Sequence, residues 1–293
     1  MKHLGPARPF LSISIQSLPD KHFLSQPAHA HSFLQQANLL NFNPLANPSC
    51  MKQPTQLSQD NTLKDPNTYQ RLTGALQYLT ITRPDIAYAV NILFQHMHDP
   101  EPSHIHLLKR LLRYIKGMVH FGLSITKTNL HLCTFSDAYW AGDPITRKST
   151  SKYCTFFCDT LISWTVKKQT TVSRSSIEFE YHALAAATTD IIYLKRLLAD
   201  FNIGHGNPVY VYCDNTSAIA LANNPVFHAR TKHIEIGHRF IRDYIQQHNI
   251  RFLPISTVDQ LADILTKPLA MSRFKILRTK LMIMQDPSVC GDY

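Results

Sequence analysis

The spacing of apolar residues changes character near residue 130. Upstream it is helical: Leu72, Leu76 and Leu79 share one face and predict a helix over 68–79. Pro84 suits a first helical turn, where its missing N–H costs nothing, and opens a helix over 84–96. A third helix is expected over 103–116, capped by Ser103 and stopped by Gly117. Leu108, Leu111, Leu112 and Ile115 form its apolar face, opposite Lys109, Arg110, Arg113 and Lys116. Such a helix reads as a packed element with a solvated basic face, or as a membrane-surface segment, and the packed reading is preferred. Ahead of these, 10–15 reads as a short strand and 31–40 as a short helix, while Asn, Pro, Gln and Ser give 41–65 the composition of a linker.

Downstream the rhythm alternates. Segments 131–137, 152–158 and 161–166 predict three successive strands joined by short turns. A long helix over 176–201 follows, ending near Gly204, and then an almost wholly apolar strand over 208–213. Short helices over 216–222 and 259–266 flank a helix over 233–247 and a strand over 250–255. Three strands followed by alternating helix and strand imply an α/β domain, a mixed sheet with helices on its faces.

This pattern brings acids to one end of the sheet. Asp137 closes the first of these strands and Asp214 follows the strand over 208–213, where open α/β sheets hold their ligands. On the long helix two acids compete. Ser175 with Glu178 fits the S-x-x-E capping box, which turns Glu178 back toward the helix start. Glu180 shares a stripe with Leu184, Ala187, Ile191 and Leu198, the face that lies on the sheet, so it is the better ligand. Asp263 lies one turn into the last helix if Asp259 caps it. Each acid alone reads as a cap or a surface charge. Together they would repel and raise one another's pKa unless cations neutralise them. Hard oxygen ligands select Mg²⁺, with Mn²⁺ as an alternative, and two such ions can drive phosphodiester hydrolysis.

Charge supports an anionic partner. The 293 residues carry a formal net charge of +10, spread along the chain rather than gathered in a tail. Arg147, Lys148, Lys152, Lys167, Lys168 and Arg174 are opposed by the single acid Asp159 in their stretch, and would flank the carboxylates against a phosphate backbone. The six cysteines form no CxxC pair and no histidine falls in HExxH, so free thiols are expected and zinc is not. No run of 18 apolar residues occurs, so no membrane span is expected. The first nineteen residues contain no acid, which leaves a mitochondrial destination beside the expected cytoplasm or nucleus.

The stretches SDAYWAG (136–142), KKQTTVSRSSIEFEYHALA (167–185), YCDNTSAIALANNPVFHARTKHIEI (212–236) and STVDQLADILTKPL (256–269) resemble the ribonuclease H domain of copia-type retrotransposon Pol polyproteins. YQRLTGALQYLTITRPDIAYAVN (69–91) and LLRYIKG (111–117) resemble the region that connects polymerase to nuclease, and MKHLG and FLSQPAHAHSFLQQANLL resemble the palm end and thumb. The resemblance implies a palm-end and thumb remnant with linker over 1–65, a helical connection over 66–125, a ribonuclease H-like five-stranded domain over 126–270, and a C-terminal helix and tail over 271–293. It also implies a two-metal endoribonuclease that cuts the RNA strand of an RNA–DNA hybrid. Asp137, Glu180, Asp214 and Asp263 fall on the family's metal positions, Asp137 bridging both ions and Asp214 helping to orient water. Arg230 and Lys232 join the expected nucleic-acid contacts. Two positions depart from the family: Tyr139 replaces a second acid, and Pro254 stands where an aromatic or histidine is common. No Tyr-Val-Asp-Asp motif occurs, so polymerisation is not expected from this chain, and a palm-and-fingers chain in trans is a candidate partner. The Met start suggests a truncated copy. The alternative reading is a catalytically silent remnant that only binds nucleic acid.

Overall fold

The structure, a computed structural model, describes residues 9–49, 65–126, 131–139, 146–170, 172–173, 175–204, 208–223, 244–245 and 250–289. It divides into two units, one formed by 1–127 with 268–293 and the other by 128–267.

The first unit contains the helices α1 (Pro27–Gln36), α2 (Pro66–Leu79), α3 (Ala87–Gln95), α4 (Pro102–Lys116) and α7 (Met271–Lys280). Asp65 caps α2, its carboxylate accepting from the N–H groups of Asn67 and Thr68, and Pro66 fills the first turn. The helix expected from Pro84 begins as a 3₁₀ turn, Pro84–Ile86, before α3 takes over. Glu101, not Ser103, caps α4: its carboxylate accepts from the His104 N–H, and its own N–H donates to His104 Nδ1 at 3.0 Å. Leu108, Leu111, Leu112 and Ile115 are fully buried, as the packed reading of α4 requires. On its basic face Arg113 Nε and Lys116 Nζ donate to the Asn43 and Phe42 carbonyls, at 2.8 and 2.6 Å. Among the described residues no helix is long and apolar enough to cross a membrane.

A four-stranded antiparallel sheet was not expected here. It runs β1 (Ser14–Ser17), β2 (Lys21–Ser25), β3 (Phe121–Thr126), β9 (Ile283–Gln285), in that order. The strand predicted over 10–15 reduces to an isolated bridge between Phe10 and Ile13, with β1 starting at Ser14. Beyond the β1–β2 hairpin, pairing partners lie about a hundred residues or more apart, so no local alternation announces the sheet (Leu24 opposite Leu123, Leu123 opposite Ile283). Gly122 permits the close approach of β2: a Cβ there would lie 2.1 Å from the Leu24 carbonyl oxygen. Because α7 and β9 join this unit, the C-terminal segment is not the separate element expected over 271–293.

A buried ion pair ties the unit together. Arg83 grips Asp85 through Nε and Nη2 at 2.9 and 2.8 Å, and Tyr114 OH donates to Asp85 Oδ2 at 2.6 Å. Arg83 Nη1 also donates to the Met118 carbonyl at 2.8 Å, and Arg278 of α7 reaches Tyr114 OH at 3.4 Å. Burial alone would raise the Asp85 pKa, yet Arg83 and Tyr114 hold it below the ordinary value. Removing one partner strands a buried charge. Asp85→Ala is therefore expected to destabilise this unit by about 3–5 kcal/mol in chemical denaturation, with part recovered in the Arg83→Met/Asp85→Ala double variant.

The second unit is a five-stranded mixed sheet, with β4 (Leu132–Tyr139), β5 (Thr150–Phe157), β6 (Thr160–Lys168), β7 (Val209–Cys213) and β8 (Ile250–Pro254) arranged in the order β6-β5-β4-β7-β8. β4, β5 and β6 pair antiparallel, whereas β7 and β8 run parallel to β4. The helix α5 (Ser176–Asp200) and the short α6 (Thr216–Asn223) bury one face: Tyr181, Leu184, Ile191 and Leu198 join Leu132, Val209, Val211 and Phe252 in one core. α5 ends at Asp200 with Phe201 as its cap, and the left-handed residue beyond the cap is Asn202 (φ 58°), not Gly204. There the Ile203 N–H returns to the Leu198 carbonyl and the Asn202 N–H to that of Ala199, a Schellman closure that Asn tolerates. On the other face Lys152 reaches the Thr266 carbonyl, which follows a 3₁₀ helix, Leu261–Leu265. Helices thus cover both faces. The helix expected over 233–247 lies outside the described residues apart from 244–245.

Candidate active site

Local structure delivers each acid separately. Asp137 lies two residues from the end of β4, paired across the ladder with Lys152 of β5. Ser175 caps α5 by accepting from the Glu178 N–H at 3.2 Å, which fixes the turn carrying Glu180. The Glu178 carboxylate lies 3.9 Å from His182 Nε2, one turn on. Asp214 follows β7 directly, and Thr257 Oγ1 donates to its Oδ2 at 3.2 Å. Asp263 belongs to the 3₁₀ helix, whose cap is Gln260 and not Asp259.

Asp137, Glu180 and Asp214 converge: one carboxylate oxygen from each lies within 4.8 Å of the others. Asp137 and Glu180 are buried, and Asp214 is half-buried. Burial, then the charges of Asp137 and Asp214, push the Glu180 carboxyl up to about 9. Burial, then Asp263 and Asp214, likewise raise Asp137, and Lys152 opposes that rise. Three crowded, desolvated carboxylates of this kind are stable together only if protonated or if a cation joins them. Their all-oxygen donor set fits a hard divalent ion such as Mg²⁺ or Mn²⁺.

Asp263 is fully buried beside the trio without being part of it. Its Oδ1 pairs with Lys267 Nζ at 2.7 Å, and the Thr266 hydroxyl lies 3.4 Å from the same oxygen. Gln260 was not singled out from the sequence. It caps the 3₁₀ helix through Oε1, accepting from Ala262 N–H at 3.2 Å, while its Nε2 donates to the Ser136 carbonyl at 3.0 Å. One buried amide therefore fixes the fourth acid's helix beside the strand that carries Asp137. Lys267 was also missed, although its place four residues after Asp263 is an ordinary helical ion-pair spacing.

The basic residues divide. Arg147 and Lys167 are exposed, Lys148 and Lys168 half-buried. Lys168 pairs with Thr150, itself opposite Tyr139, so these side chains border the end of β4 that carries Asp137. Lys152 is different. It was expected as a phosphate contact, but it is 1% exposed, donates to the Thr266 carbonyl at 2.6 Å and lies 5.4 Å from the Tyr139 ring centroid. Its ladder position opposite Asp137 turns it inward, where it offsets carboxylate charge. Arg174, Arg230 and Lys232 lie outside the described residues. Cys133, Cys154, Cys158 and Cys213 are free thiols.

No protein-family model matches the chain. It is 40% identical over 283 residues to the retrovirus-related Pol polyprotein from transposon RE2 of Arabidopsis thaliana, an alignment covering 96% of this chain. The chain matches one segment of copia-type retrotransposon Pol polyproteins. It spans about a fifth of the length of that Pol relative (19%). An uncharacterized mitochondrial protein of Arabidopsis thaliana is 45% identical over 194 residues, covering 66% of this Pol homologue and 80% of the relative. Among solved structures, the N-terminal RNase H domain of a Mycobacterium tuberculosis protein aligns with 52% of the Pol homologue and 98% of its own chain, at 13% identity and a TM-score of 0.35.

The raised Glu180 pKa has a definite sign. The folded state holds this proton more tightly than the unfolded chain, so the stabilisation is complete below about 4.5 and is lost as pH rises through about 9. Glu180→Gln, permanently neutral, should gain stability over the parent in EDTA as pH climbs from about 5 to about 9, the melting-temperature difference widening by roughly 3 °C or more. A difference that stays flat across that range would contradict the buried, crowded carboxylate.

Proposed function

We propose that residues 128–267 form a metal-dependent endoribonuclease that cuts the RNA strand of RNA–DNA hybrids, within a retrotransposon Pol context. The observation that carries this reading is the convergence of Asp137, Glu180 and Asp214 within 4.8 Å. Those three residues would hold the first ion, and Asp263 would complete the set for a second. When bound, Mg²⁺ supplies water activation and stabilisation of the leaving oxygen, giving 5′-phosphate and 3′-hydroxyl ends. Asp214, held by Thr257, would help to orient a water, and Asp137 would serve both ions. Arg147, Lys148, Lys167 and Lys168 border the acids and hold the hybrid's phosphates on either side of the reacting one. Lys152 acts from beneath, limiting the repulsion among the acids without touching substrate.

A labelled RNA–DNA hybrid with Mg²⁺ tests the proposal. The full chain should cleave the RNA strand, and Asp137→Asn or Glu180→Gln should lower the rate by at least about a hundredfold. Glu178→Gln should leave most activity intact and weaken chiefly the start of α5, by less than about 1 kcal/mol. Lys167→Ala/Lys168→Ala should raise KM and flatten its salt dependence. Salt-sensitive hybrid binding by folded protein, with no cleavage, would leave only the reading of a nucleic-acid-binding remnant.

A further inference from the structure

The two lysines at the acidic centre are held in opposite ways. Lys152 is enclosed: its ammonium donates to the Thr266 carbonyl at 2.6 Å, and the residue is 1% exposed. Lys267 pairs with Asp263 Oδ1 at 2.7 Å, yet 36% of its side chain is exposed, while the Asp263 side chain is fully buried. The acid is fixed. The cation sits on a long, flexible and partly exposed stem, which gives it a way out. Asp263 is also the one acid of the expected four that does not belong to the trio.

Resting on the metal-dependent reading above, we propose that Lys267 is a built-in cation that occupies Asp263 in place of a second divalent ion and gives way when that ion binds. The first ion needs no such exchange, because Asp137, Glu180 and Asp214 already lie together. The second must take Asp263 from an ammonium group that is close, on a partly exposed side chain four residues further along. Lys267 is thereby a positioning residue: it holds a buried carboxylate correctly turned for the ion. The two ion sites would differ in affinity because Asp263 is directly paired with an ammonium group that the second ion must displace.

Calorimetric titration of the full chain with Mg²⁺, without nucleic acid, tests this directly. The parent should bind one ion tightly and a second weakly. Lys267→Gln, which removes the competing charge and keeps the stem, should tighten the second site by about tenfold and leave the first within about twofold. Lys267→Arg, whose fork grips a carboxylate more firmly, should weaken the second site further, and serves alone if the Gln variant fails to fold. Second-site affinity unchanged in either folded variant would overturn the role of Lys267. Absence of any Mg²⁺ binding sensitive to Asp137→Asn in the parent would instead overturn the metal-dependent reading, and the role of Lys267 with it.

Discussion

Repulsion among carboxylates in a place from which water is largely excluded is the constraint around which the second unit is organised. Asp137, Glu180 and Asp214 are brought within 4.8 Å by three different elements, and each would be more easily accommodated alone. The surrounding structure shows how the crowding is tolerated. Lys152 is set opposite Asp137 in the ladder, Ala138 donates a backbone hydrogen bond to Glu180, and Thr257 donates to Asp214. Lys267 meets Asp263. These contacts reduce the repulsion without removing it, since Asp137 and Glu180 still sit well above the ordinary carboxylate range. A site that keeps excess negative charge despite this much compensation is poised to take up a cation.

The first unit shows the contrasting case. Arg83 and Asp85 are also deeply buried, but they are unlike charges in direct contact, with a bidentate grip, Tyr114 filling a further acceptor position and Arg278 reaching the Tyr114 hydroxyl. Opposite charges meet there, and the pair serves packing. The difference between the units therefore does not lie in whether charge is buried but in whether like or unlike charges face each other. Crowded like charges of this kind are the pattern that a bound cation completes.

Much of the second unit was legible because its signals are local. Period-two alternation marks β4, and a stripe of Glu180, Leu184, Ala187 and Ile191 distinguishes Glu180 from Glu178. In the first unit the helices were readable for the same reason, and the sheet was not. β3 pairs with β2 across roughly a hundred residues and with β9 across about 160, so nothing in its own six residues reports its neighbours. Helix ends failed in a related way. Glu101 and Gln260 cap where Ser103 and Asp259 were expected, because reach toward the right N–H decides a cap, and Gln260 is also held by the Ser136 carbonyl of a distant strand.

Lys152 makes the same point about chemistry. By composition it belongs with Arg147, Lys148, Lys167 and Lys168, and its charge counts equally toward an anion-binding surface. Strand parity separates it from Lys167, which faces Ser151, and its place inside the ladder separates it from Lys168, which faces Thr150 at the ladder's end. Paired with Asp137, it must share that residue's face, and on that face the 3₁₀ helix and Thr266 close over it. A lysine meant for phosphate would lose its use in that position: burial pulls the Lys152 ammonium down to about 7, and the carboxylate of Asp137 opposite is what favours its charge. The same side chain thus does different work at different places in the ladder, and only the register tells which.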